Sequence, residues 1–88
     1  MFHKVRSVTP LPGLSLLVKF EDGSRKVYDT KSLFSKWRAF QALADIKGLF
    51  EQVHVDAGGY GISWNDDLDL ACDELYNNGS EVRDHVGV

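Results

Sequence analysis

Residues 53–76 read Val53-His54-Val55-Asp56-Ala57-Gly58-Gly59-Tyr60-Gly61-Ile62-Ser63-Trp64-Asn65-Asp66-Asp67-Leu68-Asp69-Leu70-Ala71-Cys72-Asp73-Glu74-Leu75-Tyr76. Val53 and Val55 alternate with polar His54 and Asp56, the pattern of a half-buried strand. Gly58, Gly59 and Gly61 permit a tight reversal, because glycine takes positive φ without a steric penalty. Tyr60, Ile62 and Trp64 alternate again on the return strand. An acidic corner follows. A short helix beginning at Asp69 or Cys72 and ending near Asn78 then carries Leu75 and Tyr76. The stretch therefore predicts a hairpin leading into a clamp helix. Asp69 is expected to cap that helix, and Asp73 and Glu74 lie in its first turns, where the helix dipole favours anions. Gly79 supplies the C′ position.

Upstream, residues 30–48 change period. Leu33, Phe34, Trp37, Phe40, Leu43 and Ala44 recur at three- and four-residue spacing, which predicts the main helix. Asp29 or Thr30 can cap a short first turn, Ser35 the helix proper, and Gly48 stops it. Before it lies a strand, Leu14 to Phe20, with Leu14, Leu16, Val18 and Phe20 on one face. Glu21-Asp22-Gly23-Ser24 then makes a hairpin turn, Asp-Gly suiting the centre of type I′. That register sets Val18 opposite Val27 and Leu17 opposite Tyr28. A three-residue loop is the alternative, read as setting Val18 opposite Tyr28. Residues 3–9 form a first strand, ended by Pro10 and Pro12-Gly13.

The predicted order is β-β-β-α-β-β-α. Its economical packing is an α+β domain: a single antiparallel sheet of about five strands, one main helix on one face and a short C-terminal helix. One domain over 1–79 and a polar, frayed tail over 80–88 complete the chain of 88 residues.

Charge divides along the chain. Residues 1–47 hold nine Lys/Arg and four Asp/Glu, whereas 48–88 hold one Arg and nine Asp/Glu. Interleaving of the two halves in the sheet would neutralise both. Segregation would instead leave a basic and an acidic face, suited to charge-matched partners or head-to-tail self-association. The net charge of −3 disfavours a dedicated nucleic-acid binder. No apolar run is long enough for a membrane span or a signal peptide, and one cysteine, Cys72, forms no internal disulfide. A cytoplasmic location is the matching expectation.

No catalytic constellation stands out. Asp66, Asp67, Asp69, Asp73 and Glu74 begin like a calcium loop but lack its glycine and its closing glutamate, so they read as a solvated turn. His3, His54 and His85 are scattered, and with Cys72 alone no zinc site is expected. His54 is expected on the solvent side of its strand. Gly61-Ile62-Ser63 lacks the second glycine of a nucleophile elbow. No cofactor, metal or enzymatic activity is expected.

Val18-Lys19-Phe20-Glu21-Asp22-Gly23 with Tyr28-Asp29, then Phe40, Leu43, Asp45, Phe50 and Val53, then Ile62-x-Trp64, Asp69-Leu70 and Asp73-x-Leu75-Tyr76, form an ordered set. This set resembles the bacterial domain of unknown function 2442 family. The resemblance implies a small α+β domain without assigned activity. Some members carry an added helix-turn-helix, and none is expected here because the chain stops soon after Tyr76. Others stand alone beside a second small gene, which implies a regulatory or antitoxin-like partner. Asp67 departs from a common turn glycine, and Cys72 from a common helix-initiating proline.

These readings converge on a non-catalytic protein-interaction module with a protein partner or a second copy of itself. The alternatives are a nucleic-acid-binding regulator and a small-ligand-binding domain. Aromatic residues with Arg and acidic neighbours suit an interface. The candidate surface is Trp37, Arg38, Trp64, Asp66, Asp69 and Tyr76.

Overall fold

Two antiparallel sheets share one hydrophobic core, a different architecture from the single sheet expected from the sequence. The computed structural model describes residues 2–82. The first sheet has the order β1-β2-β3-β7, from β1 (Val5–Leu11), β2 (Ser15–Phe20), β3 (Arg25–Asp29) and β7 (Ser80–Glu81). The second has the order β4-β5-β6, from β4 (His54–Val55), β5 (Gly61–Asn65) and β6 (Leu68–Ala71). Short helical turns connect them, and α2 (Cys72–Asn78) follows β6.

The alternation in β2 holds: Leu16, Val18 and Phe20 are buried. The hairpin takes neither expected register. Three residues, Glu21, Asp22 and Gly23, form the loop. The Phe20 amide donates to the Ser24 carbonyl at 2.9 Å, and that of Gly23 to the Phe20 carbonyl at 3.0 Å. Gly23 sits at φ 92°, where a side chain is strained. The Asp22 carboxylate accepts the Ser24 amide at 2.8 Å. The Ser24 hydroxyl, and then this amide, hold the Asp22 pKa below the usual carboxylate range. Leu16 thus faces Tyr28, Leu17 faces Val27, Val18 faces Lys26 and Lys19 faces Arg25. A one-residue slip exchanges the faces of a strand. Here it puts Tyr28 into the core in place of Val27.

Strand β1 continues through Pro10, which lies opposite Leu16, rather than ending there. An outer strand tolerates a residue without an amide donor.

The predicted main helix does not form. Its residues make a 3-10 turn Thr30–Leu33, a second at Arg38–Gln41 and a single α turn, α1 (Ala42–Asp45). Trp37 (φ −135°, ψ 105°) is extended and separates the first turn from the second, and extended Ile46 (φ −99°, ψ 111°) ends α1. The reason lies in the spacing. Phe34, Trp37, Phe40 and Leu43 fall three apart, which suits consecutive 3-10 turns as well as an α-helix. Aromatic side chains also lose rotamer freedom in a helix, and a short helix does not repay its nucleation. Asp29 does cap the first turn, accepting the Lys31 amide at 2.9 Å. Thr30 is buried, and its hydroxyl donates to the Leu14 carbonyl at 2.6 Å.

The β4–β5 hairpin forms, with Val55 opposite Ile62 and His54 exposed, but Tyr60, expected on the return strand, lies before β5 and is exposed, and Val53 lies before β4. The strand β6 was not foreseen. Leu68 and Leu70 are buried and alternate with exposed Asp69 and Ala71. The Asn65 side chain starts this strand by accepting the Asp67 and Leu68 amides at 2.8 and 3.0 Å. Asp69 therefore does not cap a helix. It lies in β6 opposite Ser63, and Ala71 occupies the N-cap of α2 without a side-chain hydrogen bond.

Gly79 closes α2 in an extended conformation, its amide bonded to the Leu75 carbonyl at 3.0 Å. A Cβ there would meet that oxygen at 2.7 Å and the Lys26 Cβ at 2.9 Å, so the close approach calls for glycine. Ser80 and Glu81, expected in the tail, instead pair with Val27 and Lys26. Residues 83–88 of that tail, His85 included, lie outside the described residues.

The two halves of the charge pattern meet in the first sheet, where β7 sets Glu81 opposite Lys26. The first sheet draws three of its strands from residues 5–29, and the second lies wholly within residues 54–71.

Candidate interaction groove

A groove of about 360 Å³ runs along β6. One wall is Trp37, Ala39 and Phe40. The other is Asp67, Asp69, Leu70 and Ala71, with Glu74 of α2 at the end. Trp37 stands 51% exposed at the rim, whereas Phe40 is buried. A chain of rings holds this wall. Trp64 is 3% exposed and its indole N–H donates to the Phe50 carbonyl at 3.1 Å. Phe40 meets Trp64 edge-on with ring centres 6.1 Å apart, and Trp37 lies 6.2 Å from Phe40. The exposed indole is thus anchored through Phe40 to the core.

The groove carries three carboxylates, Asp67, Asp69 and Glu74, and no lining cation among the described residues. Glu74 accepts the Tyr28 hydroxyl at 2.8 Å. Burial, and then that hydrogen bond, push the Tyr28 phenol above its ordinary pKa.

Of the residues expected on one surface, the structure brings Trp37 and Asp69 together. Arg38 and Asp66 are exposed, each beside a groove residue in the chain, but do not line it. Trp64 belongs to the core, which corrects its placement at the surface. Tyr76 lies apart. Its ring stacks on His3 at 3.5 Å between centres, meets Phe20 edge-on and has the Lys26 Nζ 4.5 Å above it. The sequence reading missed Ala39, Phe40, Leu70, Ala71 and Glu74 as groove residues. The period-two run from Leu68 to Ala71 was the available signal.

A second depression, about 480 Å³, lies on the first sheet among Arg6, Lys19 and Arg25. Lys19 and Arg25 are cross-strand neighbours there. Elsewhere, the Ser63 hydroxyl donates to the Asp56 carboxylate at 2.6 Å, and the His54 ring lies 3.2 Å from the Gln52 carbonyl. Among the described residues, no three of His, Cys, Asp and Glu gather as metal ligands. Cys72 is buried and unpaired with any other cysteine, and burial raises its thiol pKa.

The family model described as Protein of unknown function (DUF2442) matches residues 5–81. The chain belongs to this family. The match spans every strand described above, from β1 to β7, so the DUF2442 resemblance noted in the sequence extends through the whole two-sheet fold. Comparison of this DUF2442 chain with curated proteins and with solved structures gave no match. No helix among the described residues is long and apolar enough to cross a membrane.

Proposed function

We propose that this DUF2442 chain is a non-catalytic protein-interaction module, the regulatory or antitoxin-like half of a cytoplasmic pair. The observation that carries this reading is Trp37, half-exposed beside a groove that is apolar at Phe40 and Leu70 and acidic at its edges. A half-exposed tryptophan beside such a groove is a residue type enriched at the energetic centre of interfaces. The test is co-purification from the native host with tagged wild type and tagged Trp37→Ala. A small protein recovered stoichiometrically with wild type and lost with the variant is the expected result. Equal recovery with both removes this groove from the interface.

A second reading is nucleic-acid binding at Arg6, Lys19 and Arg25, which together line one depression. Contacts to phosphates make affinity fall steeply with salt. Fluorescence anisotropy with labelled RNA and duplex DNA at low salt tests it, and an unchanged signal rejects it.

A further inference from the structure

The groove is bounded on one side by an unpaired strand edge. In the second sheet β6 is outermost, with β5 its one partner. The Cys72 amide bonds to the Tyr60 carbonyl at 2.8 Å, and Leu70 lies opposite Ile62. Successive residues of an antiparallel ladder alternate in direction. Leu70 therefore bonds toward β5, while the Asp69 N–H and C=O and the Ala71 N–H point outward along the groove; the Ala71 C=O begins the hydrogen bonding of α2. No strand among the described residues pairs with this edge. Such an edge is a template for another extended chain.

We infer that β6 receives an extended, cationic segment of a partner protein by strand addition, with Trp37 packing beside it. This rests on the proposed interaction function and names the occupant of its groove. The added strand would take main-chain hydrogen bonds from Asp69 and Ala71. Alternate side chains then face opposite ways. One set meets Phe40 and Leu70 and is apolar. The other meets Asp67, Asp69 and Glu74 and is Lys or Arg. A Lys or Arg near Trp37 gains a cation–π contact as well. A second copy of this chain joined β6 to β6 is disfavoured, because it would bring the three carboxylates of each copy together.

The variant Ala71→Pro isolates the edge. Ala71 has φ −70° and ψ 152°, a conformation proline adopts, and its amide faces away from β5. The substitution removes one outward donor and leaves the ladder intact. The probe is a labelled Lys-Val-Lys-Val-Lys peptide, capped at both ends. Its controls are a Glu-Val-Glu-Val-Glu peptide and a Lys peptide N-methylated at alternate amides. Binding is followed by anisotropy and by amide NMR shifts.

The expected result is binding of the Lys peptide with shifts at Asp69 and Ala71. Ala71→Pro should weaken it by about three- to tenfold, the loss of one hydrogen bond of ordinary strength, and methylation at several amides by more. Equal binding by the Glu peptide, no loss on methylation, or a silent Lys peptide each overturns the inference. So does concentration-dependent dimerisation that Ala71→Pro abolishes. A host partner retained by Ala71→Pro but lost by Trp37→Ala would sink strand addition and leave the interaction function standing. A host extract that yields no partner for any variant would count against both.

Discussion

The Tyr28 hydroxyl donates to the Glu74 carboxylate at 2.8 Å, joining the first sheet to α2 across 46 residues of sequence. The bond exists because the hairpin register turns Tyr28 inward, and it ends at the acidic groove. It therefore couples the position of Glu74 to the core.

Removing this bond should be measurable. Tyr28→Phe keeps the ring and leaves Glu74 to water, so a loss of about 1–2 kcal/mol is expected in urea unfolding. The folded state raises the phenol pKa above its ordinary 10.0, chiefly by burial. The folded chain thus holds this proton more tightly than the unfolded one. The corresponding stability is intact below pH 10.0 and is lost as pH rises beyond it. Stability curves across that alkaline range should fall less steeply for Tyr28→Phe than for wild type.

Trp64 should behave as a core residue. Trp64→Ala would empty the site beside Phe40 and Phe50 and leave the Phe50 carbonyl without its donor. A cost of about 3–5 kcal/mol is expected. Trp64→Phe restores most of the volume but not the hydrogen bond, so calorimetry should place it between the two.

Trp37 should behave in the opposite way. Its indole is 51% exposed, and Trp37→Ala should change unfolding free energy by about 0.5 kcal/mol or less. Binding of the partner, read by co-purification, should be lost. A large fall in stability with partner binding intact would show the ring to be structural.

Gly79 and Gly23 should differ in kind. Gly79→Ala places a Cβ 2.7 Å from the Leu75 carbonyl oxygen, forcing α2 and β7 apart. About 1–3 kcal/mol is expected, with faster amide exchange at Ser80 to Val82. Gly23→Ala meets no atom within 4 Å and is strained only by its φ of 92°, so about 1–2 kcal/mol should be lost. Its effect should stay local to the hairpin.

Much of the local structure was legible. The alternation of Leu16, Val18 and Phe20 marked β2, and Val55 with Ile62 marked the second hairpin. The family was legible too, because its residues recur in order from Val18 to Tyr76. The register of the first hairpin was not. Asp-Gly suits a two-residue turn, yet here Asp22 binds the Ser24 amide and Gly23 closes a loop of three. Trp37 and Asp69 were both singled out, but their shared groove depends on β6, which the acidic run before it disguised as a helix start.

The sequence by itself determined which residues are apolar, where the chain reverses and how charge divides, because these follow from side-chain chemistry and spacing of two. Only the tertiary structure decided that the second hairpin forms its own sheet, that the 30–48 segment breaks into short turns, and that β6 keeps a free edge. The physical reason is common to all three. A three-residue apolar spacing fits more than one backbone, and a short strand has no stability of its own. Packing of Trp64, Phe40 and Leu70 into the shared core selects among the alternatives.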